Sequence, residues 1–233
     1  MVVLTVGAEP DQRVFQVHQK LLCRKIEYFE KMLNGQFKEA TTNSATFPED
    51  DPECFDTLMG WVYHGRLPQL AIIQQDGFYS WNWRPPQFYV LADKFGLHEL
   101  MDRVIDQITK FLNTCGIVPS ARVYGMVHSS TPEGSPLRRL YSELFVYNLI
   151  NHSKSLGDEI SRKYKDLLES CPDLARDVVS VLLASNGCFE NPGIYSQTCR
   201  FHIRKLFMHE NTSLFVMGPG NTSFVNCRTI LTS

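Results

Sequence analysis

Cysteine and histidine side chains in the last fifth of the chain are the first candidates for chemistry. Cys199 and His202 stand three residues apart, and Cys188, His209 and Cys227 lie nearby in the sequence. Thiolate sulfur and imidazole nitrogen are ligands that Zn²⁺ prefers in proteins. The spacing lacks the second close pair of ligands that distinguishes a zinc finger. We therefore predict no metal site and keep Cys199 and His202 as candidate ligands.

Catalytic residues are harder to find. His18 follows a predicted strand at the start of a helix, but no nucleophile can be placed beside it, and we interpret it as structural. The sequence holds no glycine-rich phosphate loop, nucleophile elbow, His-Glu-x-x-His pair or acidic dyad. Since no group of residues at a defined spacing could run a reaction, we predict that the chain is not an enzyme and uses no cofactor.

Composition narrows the function further. The 233 residues are 43% hydrophobic and 12% aromatic, which is enough for a continuous core in one or two domains. A net charge of −2 and a pI near 6.4 lack the concentrated positive charge that binds nucleic acid. The sequence shows neither a signal peptide nor an apolar run of roughly 18 residues. We expect no membrane contact and a location in the cytoplasm, the nucleus or both.

The seven cysteines are an odd number without Cys-x-x-Cys spacing, and we expect reduced thiols. Cys23 and Cys54 fall within apolar helical patterns, where a thiol usually acts as a small hydrophobic side chain.

The elements that would position a site begin with a hairpin. Residues 2–7 are β-branched and apolar, and residues 13–17 alternate after a turn. Two short helical stretches follow over 18–34, and we predict that Gly35 ends them in the left-handed conformation. Their buried face has helical spacing; it comprises Leu22, Ile26, Phe29 and Leu33.

A second strand precedes a helix that the sequence places at about 52–64. Asp51 can cap its free amide groups, and Pro52 at the first helical position loses no hydrogen bond. Gly65 ends the helix. Its apolar stripe consists of Phe55, Leu58, Met59 and Val62.

Residues 68–87 break the pattern, and we predict an inserted loop there, with Pro85-Pro86 preventing regular structure. The loop is unusually aromatic, so it either packs back onto the domain, which we favour, or offers a surface to a partner. The aromatic residues are Phe78, Tyr79, Trp81 and Trp83.

Helices dominate the rest of the chain up to about residue 185. Periodic apolar residues predict a helix near 88–95, a longer one through Leu112, a short one through Tyr124, and one that begins at Ser135-Pro136. Two more are predicted at about 157–169 and 173–185. From residue 186 onward Gly, Pro, Asn, Ser and Thr dominate, and we expect poor order.

The combined pattern resembles a BTB/POZ domain. The resemblance rests on Phe-Gln-Val-His at 15–18, two leucines soon after it, the Tyr-Phe pair at 28–29 and the helix end Trp-Val-Tyr-His-Gly-Arg-Leu at 61–67. Residues 89–108 are similar to the paired helices that close this domain. Residues 131–140 resemble an extension found in many fungal members. The resemblance covers roughly residues 2–150.

The resemblance implies an α+β fold, a small mixed sheet covered by a cluster of helices. We assign residues 1–112 to the BTB/POZ-like domain, including the loop at 68–87. Residues 113–185 form a helical extension, and residues 186–233 form the tail.

The function that the resemblance implies is a protein–protein interaction module. Members form homodimers, and they dock cullin-type ubiquitin-ligase scaffolds or transcriptional co-regulators. The first strand is expected to be an apolar edge that an isolated monomer leaves exposed, so self-association would cover it. The expected dimer surface comprises Val3, Leu4, Leu21, Phe29 and Met32.

Three departures from the family pattern bear on this function. Met1-Val2 stands where many members carry an acidic residue, which leaves open a truncation at the start. Ile26 replaces a serine before the Tyr-Phe pair. The helix at 52–64 lacks the hydrophobe-x-Glu signature of several cullin adaptors, which puts adaptor activity in doubt. If a cullin binds, the expected contacts are Asp56, Met59, Tyr63 and His64.

An alternative function is a transcriptional or chromatin regulator. In that alternative the domain dimerises and the Cys/His tail contacts metal or nucleic acid. A zinc signal in the purified protein would distinguish it from an interaction domain with a loose tail.

Overall fold

The computed structural model describes residues 1–75, 78–115, 118–152, 158–185, 192 and 201–203. Its contacts divide the chain into two compact units. Unit 1 comprises Met1–Ile73 and Ser80–Val104, and unit 2 comprises Gln74–Tyr79 and Ile105–Ser233.

The first hundred residues combine strands and helices, as expected for an α+β fold. In chain order the elements are β1 (Val2–Val6), β2 (Arg13–Val17), α1 (Gln19–Lys25), α2 (Glu27–Asn34), α3 (Lys38–Thr42), β3 (Ser44–Phe47), α4 (Pro52–His64), β4 (Ile72–Gln75), β5 (Phe78–Trp81), α5 (Pro85–Lys94) and α6 (His98–Cys115).

The main sheet has the strand order β2-β1-β3. Leu4 of β1 stands opposite Phe15 in the antiparallel pair with β2 and opposite Ala45 in the parallel pair with β3. The expectation that the first strand is an exposed edge is therefore wrong, because β1 is the central strand and both of its sides are hydrogen-bonded. The sheet edges are β2 and β3.

The predicted helix at 52–64 is confirmed with its capping. The Asp51 carboxylate accepts hydrogen bonds from the backbone N–H groups of Glu53, at 2.8 Å, and Cys54, at 3.4 Å. Gly65 ends α4 at φ 72°, in the left-handed region.

Gly35 does not have the conformation that the sequence predicted. It follows α2 at φ −86° and ψ −163°, outside the left-handed region. A Cβ atom at this position would come within 2.5 Å of the Lys31 carbonyl oxygen. Close approach of the backbone, rather than a positive φ, is the reason for glycine here.

The predicted loop at 68–87 contains regular structure. β4 and β5 pair within it, and α5 begins at Pro85. The prediction that the two prolines prevent regular structure is wrong, because they occupy the first turn of α5, where the backbone N–H groups have no helical partner. Trp83 is 7% exposed and packs edge-to-face on Phe88. For this residue, the prediction that the aromatic loop packs onto the domain is confirmed. The side chains of Phe78 and Tyr79 lie outside the described residues.

Aromatic rings form the centre of unit 1. Phe29 and Phe55 are fully buried, and Phe47 and Phe95 are nearly so. Ring centres lie 5.2 Å apart in the pairs Phe29–Phe95 and Phe47–Phe55. Such pairs contribute about 0.5–1.5 kcal/mol beyond the burial of their area. This cluster joins the β3 strand to α2, α4 and α5.

Unit 2 is helical in its described part. It takes α6 from Ile105 onward, followed by α7 (Ala121–Ser130), α8 (Pro136–His152), α9 (Asp158–Ser170) and α10 (Pro172–Ala184). Tyr124 packs edge-to-face against Tyr141, Phe145 and Tyr164, and all four rings are buried. The helices predicted at about 157–169 and 173–185 are confirmed.

A polar group is buried between α7, α8 and α10. Nδ1 of His128 donates to the Tyr124 carbonyl oxygen, and Nε2 lies 2.9 Å from the Ser142 hydroxyl. Arg138 pairs with Asp177 and lies 3.7 Å from Asp173. Burial lowers the pKa of His128, Asp177 opposes that shift, and Arg138 adds to it. His128 is therefore held as a neutral side chain inside unit 2.

Candidate interaction surface

The outward face of α4 is the best-defined candidate surface in unit 1. Its inward face is buried, and the residues opposite follow helical spacing of three and four. They comprise Glu53, Asp56, Gly60, Tyr63 and His64. All are exposed except Gly60, which is half-exposed. We name this set the α4 face.

Gly60 stands at the middle of the α4 face. A Cβ atom added there would meet no other atom within 4 Å. Glycine inside a helix costs about 0.5–1 kcal/mol relative to alanine. Since the packing of unit 1 does not require a glycine, the bare backbone at Gly60 leaves room for close approach by another molecule.

Tyr63 is held in place by His18. The backbone N–H of His18 donates to the Tyr63 hydroxyl oxygen at 3.2 Å, and the hydroxyl lies 2.9 Å from Nδ1 of His18. Tyr63 nevertheless remains 43% exposed. An aromatic side chain fixed by hydrogen bonds and still open to solvent binds a partner with little further loss of rotamer freedom. This contact gives His18 the structural role that the sequence predicted.

Charged residues tie the α4 face to the rest of unit 1. Arg84 bridges Asp51 at 2.6 Å and Glu53 at 2.8 Å. On the flank, the Lys25 ammonium lies 5.2 Å from the centre of the Trp61 ring. These contacts fix both the start of α4 and the border of the face on the side of α1.

The predicted partner contacts divide into two groups. Asp56, Tyr63 and His64 lie on the α4 face. Met59 is only 6% exposed and belongs to the core, so its prediction as a contact is wrong. Its helical phase places it with Phe55 and Val62 on the inward side.

The predicted dimer contacts divide in the same way. Leu4 and Phe29 are fully buried within unit 1 and cannot contact a partner without unfolding, so their prediction as surface residues is wrong. Val3, Leu21 and Met32 are half-buried and stay predictions.

The candidate metal ligands are not brought together in the described part of the chain. Nε2 of His202 lies 2.8 Å from the Asp106 carboxylate, and Cys199 lies outside the described residues. Within the described ranges no group of three His, Cys, Asp or Glu residues is arranged to hold a metal ion. Among those residues, no helix combines the length and the apolarity needed to cross a membrane.

The predicted role of two cysteines as small hydrophobic residues is confirmed. Cys23 and Cys54 are buried, and burial raises the pKa of both thiols. Both are therefore neutral at physiological pH.

The sequence analysis did not identify Gly60 or Val14 as surface residues that a partner could contact. Gly60 could have been found as a glycine inside a predicted helix without a helix end nearby. Val14 lies on the edge strand β2 with 61% of its surface exposed, and an apolar residue facing solvent on a strand gives no distinct sequence signal.

Comparison with known proteins identifies the fold of this region. Residues 2–114 match the family model of the BTB/POZ domain. A mouse protein, "TD and POZ domain-containing protein 4" of Mus musculus, is 26% identical over 99 residues. This alignment covers 42% of the present chain and 24% of the mouse protein, so the chain matches about a quarter of that relative.

Proposed function

We propose that this protein, whose residues 2–114 form a BTB/POZ domain, recruits a partner polypeptide through the α4 face. A BTB/POZ domain is a protein–protein interaction module. The main observation behind the role of the α4 face is the open backbone at Gly60, flanked by the exposed side chains of Asp56 and Tyr63. A partner helix or loop could approach this backbone closely and pack on the Tyr63 ring.

The partner class that fits the family resemblance is a cullin-type scaffold or a transcriptional co-regulator. The face offers a carboxylate at Asp56, an aromatic ring at Tyr63 and an imidazole at His64, which suit a partner surface that combines a basic residue with apolar ones. Affinity for this face would depend on Tyr63, because aromatic anchors dominate most protein interfaces.

The experiment is affinity purification with mass spectrometry, comparing the wild-type chain with Gly60→Arg. A Cβ atom added at this position meets no other atom within 4 Å and Gly60 is half-exposed, so we expect the fold to be retained while the arginine blocks the approach to the backbone. The matched control is Ser180→Arg, which adds the same charge at an exposed position inside α10. We expect a partner protein that is recovered with the wild-type chain and with Ser180→Arg but not with Gly60→Arg. Equal recovery with both variants would refute the role of the α4 face, and recovery of a cullin would favour the adaptor function.

We also propose that the chain forms a homodimer through Val3, Leu21 and Met32. These apolar side chains are half-buried in the isolated chain, so a second copy could cover the remaining surface. Multi-angle light scattering at tens of micromolar is expected to give a dimer mass that Met32→Glu lowers to that of a monomer. A monomer mass for the wild-type chain would refute this proposal.

A further inference from the structure

β2 is an open edge of the main sheet. Among the described residues its backbone pairs with β1 alone, over Arg13–Val17. In an antiparallel pair the N–H and C=O groups of every second residue point away from the partner strand. No strand of the described chain takes up these groups on the outer side of β2. The strand also contains no lysine and no proline, the residues with which natural proteins commonly protect an edge.

Apolar side chains remain uncovered on both faces of β2. Phe15 lies on the core side, with its ring centre 6.2 Å from that of Phe55, yet it is only half-buried. Val14 lies on the opposite face of the sheet with 61% of its surface exposed. A strand added at this edge would place one residue opposite each of them. The edge therefore favours a segment that is apolar at these two adjacent positions.

Arg13 supplies a positive charge at the beginning of β2. Its side chain is exposed, and none of the ion pairs within the described ranges involves it. Opposite charges on directly opposed residues stabilise a pair of strands. An antiparallel partner would therefore present residues opposite Phe15, Val14 and Arg13 in that order along its own chain, the first two apolar and the third acidic.

A second copy of β2 does not meet these requirements. Antiparallel pairing centred on Phe15 places Arg13 opposite a valine of the second copy and leaves its charge unpaired. Pairing shifted to bring Arg13 opposite Asp11 places Val14 opposite Pro10, which has no N–H group to donate. Because no such register satisfies both the charge and the apolar side chains, the edge fits a different polypeptide.

We propose that the β2 edge binds an extended segment of a partner protein by antiparallel strand addition. The segment carries two adjacent apolar residues followed by an acidic one. Main-chain hydrogen bonds supply the affinity, and the three side chains supply the specificity. The site uses no residue of the α4 face, so its test is independent of the function proposed for that face.

Fluorescence anisotropy with a labelled peptide tests this site on the full chain. The probe is Ser-Val-Thr-Leu-Val-Glu-Ser, in which Leu, the second Val and Glu stand opposite Phe15, Val14 and Arg13. A second probe has lysine in place of the glutamate. We expect the wild-type chain to bind the acidic probe about five-fold more tightly than the lysine probe, and Arg13→Glu to reverse this preference. Arg122→Glu, the same change at an exposed position of α7, should keep the wild-type preference.

Two N-methylated forms of the acidic probe test whether the backbone of β2 is used. Methylation of alternate backbone nitrogens removes the donors along one edge of the extended peptide, and methylation of the remaining nitrogens removes those along the other edge. Only one edge faces β2, so one methylated probe should keep the affinity of the parent peptide and the other should lose it. Equal affinity of the two methylated probes would overturn strand addition.

Further results would also overturn the proposal. One is the absence of binding of the acidic probe at concentrations up to about 1 mM. Another is an unchanged preference for the acidic probe in Arg13→Glu. Loss of binding in Gly60→Arg would place the probe on the α4 face instead. For Met32→Glu, a mass in light scattering that rises with concentration and falls when the probe is added would assign the edge to a second copy.

Discussion

Replacing Gly60 by alanine should stabilise unit 1. Gly60 lies inside α4 with helical neighbours on both sides, and an added Cβ atom meets nothing within 4 Å. The substitution therefore removes the conformational entropy cost of glycine without creating a clash. We expect the free energy of unfolding to rise by about 0.5–1 kcal/mol.

Tryptophan fluorescence during urea unfolding is the assay for this prediction. The three tryptophans are Trp61, Trp81 and Trp83, and all belong to unit 1, so the signal reports this unit. The midpoint of the transition should move to higher urea concentration with an unchanged slope.

Gly65→Ala is the matched control. An added Cβ atom at Gly65 also meets nothing within 4 Å, but the backbone is left-handed at φ 72°. A left-handed alanine costs roughly 1–2 kcal/mol, so this variant should be destabilised. A lower unfolding free energy for Gly60→Ala, or the same effect at both glycines, would refute the reasoning that Gly60 is kept for something outside the chain.

Three further predictions follow from buried and capping groups. Phe29→Ala should lower the free energy of unfolding of unit 1 by about 3–5 kcal/mol, because the ring is fully buried. A loss of under about 1 kcal/mol in urea titration would contradict the burial of Phe29 in the core. Asp51→Ala should cost about 1 kcal/mol through loss of the α4 cap, measured in the same way; an unchanged midpoint would mean that the side chain of Asp51 does not stabilise the start of the helix. Burial lowers the pKa of His128 in the folded chain, so the unfolded chain binds the proton more readily. Stability should therefore be complete above about pH 6.5 and fall as the pH drops below that value. Thermal melts followed by circular dichroism should show this loss in the wild-type chain but not in His128→Gln, and an equal loss in both would exclude His128 as its source.

Local signals predicted much of the fold. The capping residue Asp51, the first-turn proline and the stop at Gly65 gave α4 its observed bounds, because each acts on backbone groups only a few residues away. The apolar spacing of residues 22–33 likewise identified side chains that the core encloses.

Nonlocal pairing could not be read from the sequence in this way. β1 looked like an edge because its hairpin partner β2 was visible, whereas the parallel pairing with β3 joins strands separated by almost forty residues. Proline at the first helical position starts both α4 and α5, but the turn-forming residues before Pro85 give the same sequence signal as an irregular loop.

The site was predicted only in part because burial depends on neighbours. Met59, Leu4 and Phe29 came from the family resemblance as contacts, and the packing of α4 and β1 encloses them instead. Asp56 and Tyr63 are exposed on α4, and their role as partner contacts stays a prediction. A glycine inside a predicted helix marks position 60 in the sequence, but the open space around Gly60 depends on how the rest of the chain packs.

Site-specific photo-crosslinking tests the role of the α4 face most directly. A benzoylphenylalanine introduced at Asp56 or His64 reports any polypeptide that contacts the face, and the same probe at the exposed Lys163 of α9 serves as the reference. We expect the same adduct from both α4 positions in cells and none from Lys163, with loss of the adduct when Gly60→Arg is added. Adducts at Lys163 that match those of α4, or no adduct at either α4 position, would contradict the account.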